Sequence, residues 1–195
     1  MARPARTLRV RRLHAQRRAL TADQLARHLC EEDPFDAAPI AHGLWAEEAL
    51  LVQPSQLFAR ACAGLAAAFM DAPRATPWGA WVARQVADAA EALRREDPAT
   101  WRTLPFEPTP FERAVGACFG VADEDVLALI RRFHALERED RRALHALLPR
   151  AMFGLPHPDR RPGAGRRAMR RAREDAQRGV AVMRALLAAL RQAGA

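Results

Sequence analysis

Six histidines offer the first candidates for chemistry: His14, His28, His42, His134, His145 and His157. Two metal ligands on one helical face need a spacing of three or four residues. No two of these histidines have it, and no glutamate stands three residues before any of them. The zincin and di-iron helix signatures are therefore missing. The one serine, Ser55, sits in Gln-Pro-Ser-Gln-Leu, without the glycines that a strained nucleophile turn requires. The chain has no lysine, tyrosine or asparagine. That excludes a P-loop lysine, a Schiff base, a phenolic acid and a Cys-His-Asn triad. Gly163-Ala-Gly165-Arg-Arg-Ala168 fits the spacing of a dinucleotide loop. Only Leu155-Pro-His-Pro-Asp-Arg-Arg-Pro162 precedes it, and the fingerprint needs a strand there. The carboxylate pairs Glu47/Glu48 and Asp123/Asp125 read as solvated or helix-start charge. The expectation is a non-enzymatic protein with no catalytic residue, no metal and no cofactor.

Three cysteines, Cys30, Cys62 and Cys118, are odd in number and widely spaced, with no CxxC. This argues for a reducing compartment and against a disulfide or zinc framework. Cys62 and Cys118 fall among apolar neighbours, where a buried inert thiol is the default. No apolar run approaches the ~18 residues of a membrane span. The start, MARPARTLRVRRLHAQRRAL, is acid-free but has no serine and no apolar core after it. A bacterial cytoplasmic protein with a basic arm fits best.

The charges are segregated. Residues 1–20 carry +7, residues 21–149 carry −7, and residues 150–195 carry +8. An acidic body thus has two basic ends, and arginine supplies every cation. Such ends attract phosphate or acidic protein surfaces. They can equally fold back on their own acidic body.

Elements must position these groups, and the composition favours helices. Alanine, the best helix former, accounts for 44 of the 195 residues. Apolar residues recur at helical spacing throughout. Val10, Leu13, Arg17 and Leu20 suggest a short basic helix. Thr21 with Gln24 spells a capping box for a helix to about Cys30. Pro39 can open a helix to about Val52 with Ile40, Leu44 and Leu51 inward. Pro54 suits a first helical position and leads a stripe of Leu57, Phe58, Ala61, Leu65, Ala68 and Phe69. Thr76-Pro77 repeats the start signal, and Trp78, Trp81, Val82, Val86, Ala89 and Leu93 follow as core anchors. The final helix, about 166–192, carries Met169, Ala172, Ala176, Val180, Met183, Leu187 and Leu190 along its apolar side. The reading is an all-α fold of seven to nine helices in one irregular bundle, with a basic N-terminal arm and a long C-terminal helix. Its segments are a basic arm at 1–20, a helical body at 21–148 with a sub-boundary at 97–110, a Pro/Gly/Arg loop at 149–165 and the last helix at 166–192.

The sharpest local pattern runs from 109 to 148. Thr109 and Glu112 spell a second capping box, with Pro110 at the first helical position. Val115, Gly116, Phe119, Gly120 and Val121 are followed by a new start at Ala122-Asp123 and by Val126 and Leu129. A small residue at 116 lets two helices approach, and Gly120 permits a left-handed turn between them. This spacing resembles a helix-turn-helix. A further helix is expected from about Arg138 to Leu148. The stretch Phe133-His-Ala-Leu136…Asp140-Arg-Arg-Ala-Leu144 is similar to the start of the C-terminal DNA-reading region of sigma-70-family sigma factors.

The resemblance implies a transcription-associated protein with RNA polymerase as a protein partner. Asp123, Glu124 and Asp125 would make the protein contact, since three carboxylates repel phosphates. Arg11, Arg12, Arg17, Arg18, Arg166, Arg167, Arg170, Arg171 and Arg173 would contact nucleic acid without sequence preference. The alternative is a protein-interaction or structural subunit with no nucleic-acid role. In either case circular dichroism is expected to show more than roughly half helix, well above the globular average of ~30–35%. A spectrum below half would defeat the all-α reading.

Overall fold

Thr21 opens the first helix as the sequence predicts. Its hydroxyl accepts from the Gln24 N–H at 3.2 Å, and the Gln24 side chain accepts from the Thr21 N–H at 2.9 Å. The computed structural model describes Leu13 and residues 19–69, 78–101, 108–155 and 166–193. Trp101, 166–169, 172 and 193 are described by backbone alone. Helix takes up 81% of the described residues, and no strand occurs among them. The helices are α1 (Ala22–Glu32), α2 (Ala37–Glu48), α3 (Pro54–Phe69), α4 (Trp78–Arg95), α5 (Pro110–Phe119), α6 (Val126–His134), α7 (Arg138–His145) and α8 (Arg166–Ala193). No described helix is long and apolar enough to cross a membrane. Of the short basic helix expected near the start, Leu13 is helical and buried, and the remainder up to Arg18 lies outside the described residues.

Contacts divide the chain into two compact units. The first comprises Met1–Ala46 with Pro54–Leu93, the second Glu47–Gln53 with Arg94–Ala195. In the first, α1 packs along α3, with Leu25 and Leu29 buried on α1 and Ala61, Cys62 and Leu65 buried on α3. Phe35, Phe69, Trp78 and Trp81 form an aromatic cluster with ring centroids 5.3 to 6.4 Å apart. Trp81 is buried, whereas Trp78 is half-buried on the cluster's rim.

Asp33 sets the phase of α2. It takes a left-handed conformation (φ 39°) at the end of α1. Its two carboxylate oxygens accept from the Ala37 and Ala38 N–H groups at 2.7 and 3.0 Å. A carboxylate at a helix N-terminus meets unpaired donors and the positive end of the dipole. With α2 starting there, Ala37, Ala41 and Trp45 face inward, and the expected Ile40 and Leu44 are only half-buried. The helix also stops at Glu48 rather than near Val52. Ala49 turns left-handed (φ 50°), and Ala49, Leu50, Leu51 and Val52 are fully buried in a non-helical segment.

That segment belongs to the second unit. The Leu51 N–H donates to His134 Nε2 at 3.0 Å. His145 hydrogen-bonds the Leu50 backbone. Arg141, nearly fully buried, donates through Nε to the Glu48 carbonyl (3.2 Å), through Nη1 to the Leu136 carbonyl (2.7 Å) and through Nη2 to Glu48 Oε2 (3.3 Å). Arg138 adds a 2.7 Å pair to Glu47 and a 3.1 Å pair to Glu48. The segment's backbone and flanking charges are thus anchored from α6 and α7.

The second capping box is also present. Thr109 Oγ1 accepts from the Glu112 N–H at 3.1 Å, and Glu112 Oε2 accepts from the Thr109 N–H at 2.7 Å. Pro110 opens α5, and Gly120 closes it in a left-handed turn (φ 63°). A Cβ on Gly116 would lie 3.1 Å from Val126 Cγ2 and 3.2 Å from the Val121 carbonyl, so the small residue permits the expected approach of α5 and α6. Residues 123–125 form a 3-10 turn leading into α6. The next helix, α7, ends at His145, short of the expected Leu148, and the chain turns there.

Packing of α8 on α7 depends on Gly179. A Cβ there would lie 2.6 Å from the Ala143 carbonyl and 2.8 Å from Leu147 Cδ1. This contact rotates α8 away from the expected stripe. Gly179 and Leu186 are buried, Val182, Met183, Leu187 and Leu190 are half-buried, and Val180 is 40% exposed. Met169 and Ala172, also placed on the expected stripe, lie where side chains are not described.

Two outcomes check this packing. Gly43, helical and with nothing within 4 Å of an added Cβ, should gain about 0.5–1 kcal/mol on substitution by alanine. Gly179→Ala should instead lose about 1–3 kcal/mol through overpacking. Urea denaturation of both variants gives the two signs. A stabilised Gly179→Ala would show that α7 and α8 do not meet at this glycine.

The histidines predict a pH dependence. Burial, aided by the nearby Arg141 and Arg94 charges, pushes His134 from 6.5 down to about 3. Burial likewise pushes His145 down to about 4. The unfolded chain therefore binds these protons first. Stability should be complete above pH ~6.5 and fall below it, at up to ~1.4 kcal/mol per pH unit for each histidine. Urea titrations between about pH 4.5 and 7.5 test this, because the carboxylates mostly titrate lower. A flat profile in that window would contradict the neutral, buried histidines.

Candidate nucleic-acid interface

The last helix sets eight of the eleven arginines of residues 150–195 in a regular array. Five of them, Arg166, Arg167, Arg170, Arg171 and Arg173, stand in its first eight residues with no acid among them. Cations at a helix N-terminus oppose the macrodipole. The sequence therefore places positive charge where the backbone favours an anion.

Packing separates the two halves of α8. From Gly179 onward the helix lies against α7. Before it, Arg170, Arg171, Arg173, Glu174, Asp175, Gln177 and Arg178 are all exposed. Arg178 folds onto the acidic body, donating through Nε to Asp140 Oδ1 at 2.7 Å and through Nη1 to Glu139 Oε2 at 2.8 Å. These bonds raise its pKa further. Arg170 pairs along the helix with Glu174 at 2.8 Å. Arg171 and Arg173 make no salt bridge with any described residue. Arg166 and Arg167 lie in the first turn of the helix, where the backbone alone is described, and Arg11, Arg12, Arg17 and Arg18 lie outside the described residues altogether.

The unit formed by α5 and α6 has a different character. Asp123, Glu124 and Asp125 are exposed in their 3-10 turn and form no salt bridge among the described residues. On α6, Arg131 is held by both oxygens of Asp97 at 2.7 Å. That bond, with the Ala99 N–H, lowers the Asp97 pKa. Within residues 133–144, Phe133, His134, Arg141, Ala143 and Leu144 are buried, and Asp140 is the partner of Arg178. On α6 and α7, Arg131, Arg138 and Arg141 are engaged inside the unit, while Arg171 and Arg173 at the head of α8 hold no carboxylate among the described residues.

A groove of about 350 Å³ lies between α8 and the α6–α7 pair, lined by Leu136, Val182, Ala185, Leu186 and Ala189 with Arg132 and Asp140 at its polar edge. The strongly shifted groups His134, His145 and Cys62 sit in packed interiors and do not line it. Among the described residues no three His, Cys, Asp or Glu side chains cluster to hold a metal ion. Sequence reasoning misses Arg178 as an internal partner and Arg141 as a buried one. Only their neighbours' positions distinguish them from Arg171 and Arg173. Compared with known protein families, with curated proteins and with solved structures, the chain has no match.

Proposed function

We propose that this chain is a non-enzymatic, sigma-like, transcription-associated helical protein of the bacterial cytoplasm whose basic ends contact nucleic acid. The observation that carries this reading is the contrast between arginines. Arg131, Arg138, Arg141 and Arg178 each hold a carboxylate, while Arg171 and Arg173 are exposed and hold none among the described residues. An external phosphate supplies the anion that the head of α8 lacks.

Duplex DNA suits this helix best. A helix with its side chains is ~10–12 Å wide, matching the ~12 Å major groove of B-DNA, whereas the RNA major groove is too narrow. Single-strand binders stack bases on aromatic side chains, and residues 166–193 contain none. The exposed Asp123, Glu124 and Asp125 support a protein contact on the same unit, with RNA polymerase as the partner that the sigma resemblance implies. They equally support the second reading, a protein-interaction subunit that binds no nucleic acid.

Fluorescence anisotropy with a labelled duplex separates the two. Contact by about five arginines gives a slope near ~−4 to −5 in log K against log salt. The variant R166Q/R167Q/R170Q/R171Q/R173Q should bind far more weakly and with a flatter slope. Glutamine has nearly the helix propensity of arginine, so α8 is retained. Equal binding by both proteins, or none by the wild type at low salt, would leave the protein-interaction reading as the better one.

A further inference from the structure

The groove between α8 and the α6–α7 pair lies on the other half of α8 from the arginine-rich head, after Gly179. Its α8 wall is Val182, Ala185, Leu186 and Ala189, a spacing that puts all four on one helical face. Ala135 and Leu136, in the link from α6 to α7, complete the apolar lining. Three of these six residues are alanines, whose methyl groups reach too short a distance to fill the space between the helices. Leu186 is buried and forms the floor, whereas Ala185 is exposed at the mouth. We propose that this groove binds a medium-chain alkyl carboxylate, with Arg132 holding the carboxylate and the apolar wall holding the chain.

Charge decides the class of ligand. Only two of the lining residues, Arg132 and Asp140, carry a charge. Asp140 accepts from Arg178 at 2.7 Å, so its charge is answered from within the chain. Arg132 is half-buried and makes no hydrogen bond or salt bridge with any described residue. Its neighbours Arg131, Arg138 and Arg141 each hold a carboxylate. The groove therefore combines an apolar wall with one uncompensated guanidinium, and the planar fork of arginine fits a carboxylate through two parallel hydrogen bonds. A phosphate monoester carries nearly two charges. One guanidinium would leave part of that charge facing Asp140.

Size decides the length. From Val182 to Ala189 the wall runs seven residues, about 10 Å along the helix axis. The volume of about 350 Å³ stands at the low end of the ~300–1,000 Å³ of small-molecule sites. Both measures suit a single chain of moderate length rather than a two-chain lipid. The site is independent of any nucleic-acid contact at the head of α8, because none of its lining residues precedes Gly179 on that helix.

Protein-observed NMR titration of the full chain at pH 7 with octanoate, octanol and octyl phosphate tests this. Octanoate should bind saturably, shift amide signals within residues 132–140 and 182–189, and bind about tenfold more tightly than octanol, the worth of one charge-assisted hydrogen bond. The variant R132Q should lose that preference and keep its affinity for octanol. R142Q, which removes an exposed arginine of α7 outside the groove, should change neither affinity. A185L/A189L, which fills the groove with good helix formers, should abolish both. Four results would each overturn the proposal: no saturable binding, equal affinities for octanoate and octanol in the wild type, a preference that survives in R132Q, or octanoate shifts centred on residues 166–175. Tighter binding of octyl phosphate than of octanoate would overturn the carboxylate assignment. Because R132Q alters only a half-buried side chain without partners, poor folding of A185L/A189L would not shield the proposal.

Discussion

The second unit is organised around the buried backbone of Ala49, Leu50, Leu51 and Val52. An apolar segment without helical hydrogen bonds cannot enter a core unless its own N–H and C=O groups find partners there. His134 and His145 supply two of those partnerships; His134 accepts the Leu51 N–H and can do so only as a neutral ring, and burial pushes the pKa of both rings down. Arg141 supplies the third anchor, meeting two carbonyls and one carboxylate with its planar fork. The same constraint fixes α6 and α7, because His134 sits at the end of one and Arg141 and His145 lie in the other. It also explains why α2 stops at Glu48: continuing the helix would carry Leu50 and Leu51 away from these donors and acceptors.

Arginine plays three physical roles in this chain. Arg141 is an interior hydrogen-bond hub, valuable because its guanidinium satisfies several acceptors at once. Arg131, Arg138 and Arg178 are surface partners of carboxylates, individually worth little but able to fix the direction of side chains. Arg171 and Arg173 belong to neither set. In a chain where arginine replaces lysine everywhere, the number of arginines says nothing about ligand binding. Their partners do. The acidic body draws in some of the cations that can reach it, and Arg171 and Arg173, ahead of the contact of α8 with α7, hold no carboxylate among the described residues.

Both capping boxes, the proline at the start of α5 and the left-handed Gly120 are legible in the sequence because each is a local arrangement spanning a few residues. The packing role of Gly116 is legible too, because its contacts, Val121 and Val126, are close along the chain. The phase of α2 is not. Periodicity places Ile40 and Leu44 inward, but Asp33 capping Ala37 and Ala38 turns Ala41 and Trp45 there instead. The stripe on α8 is misplaced for a related reason. Hydrophobicity favours Val180, whereas close helix approach selects the smallest residue, Gly179.

By itself the sequence determined the all-α character, the local helix starts and the segregation of charge, all of which depend on composition and on neighbours a few residues apart. The tertiary structure alone decided which arginines are engaged and which stand exposed, and that two histidines hydrogen-bond the buried backbone of Leu50 and Leu51. Each of these is a meeting of residues far apart along the chain. Their energies depend on burial and on distances of a few ångströms, and no spacing rule along a single helix carries that information.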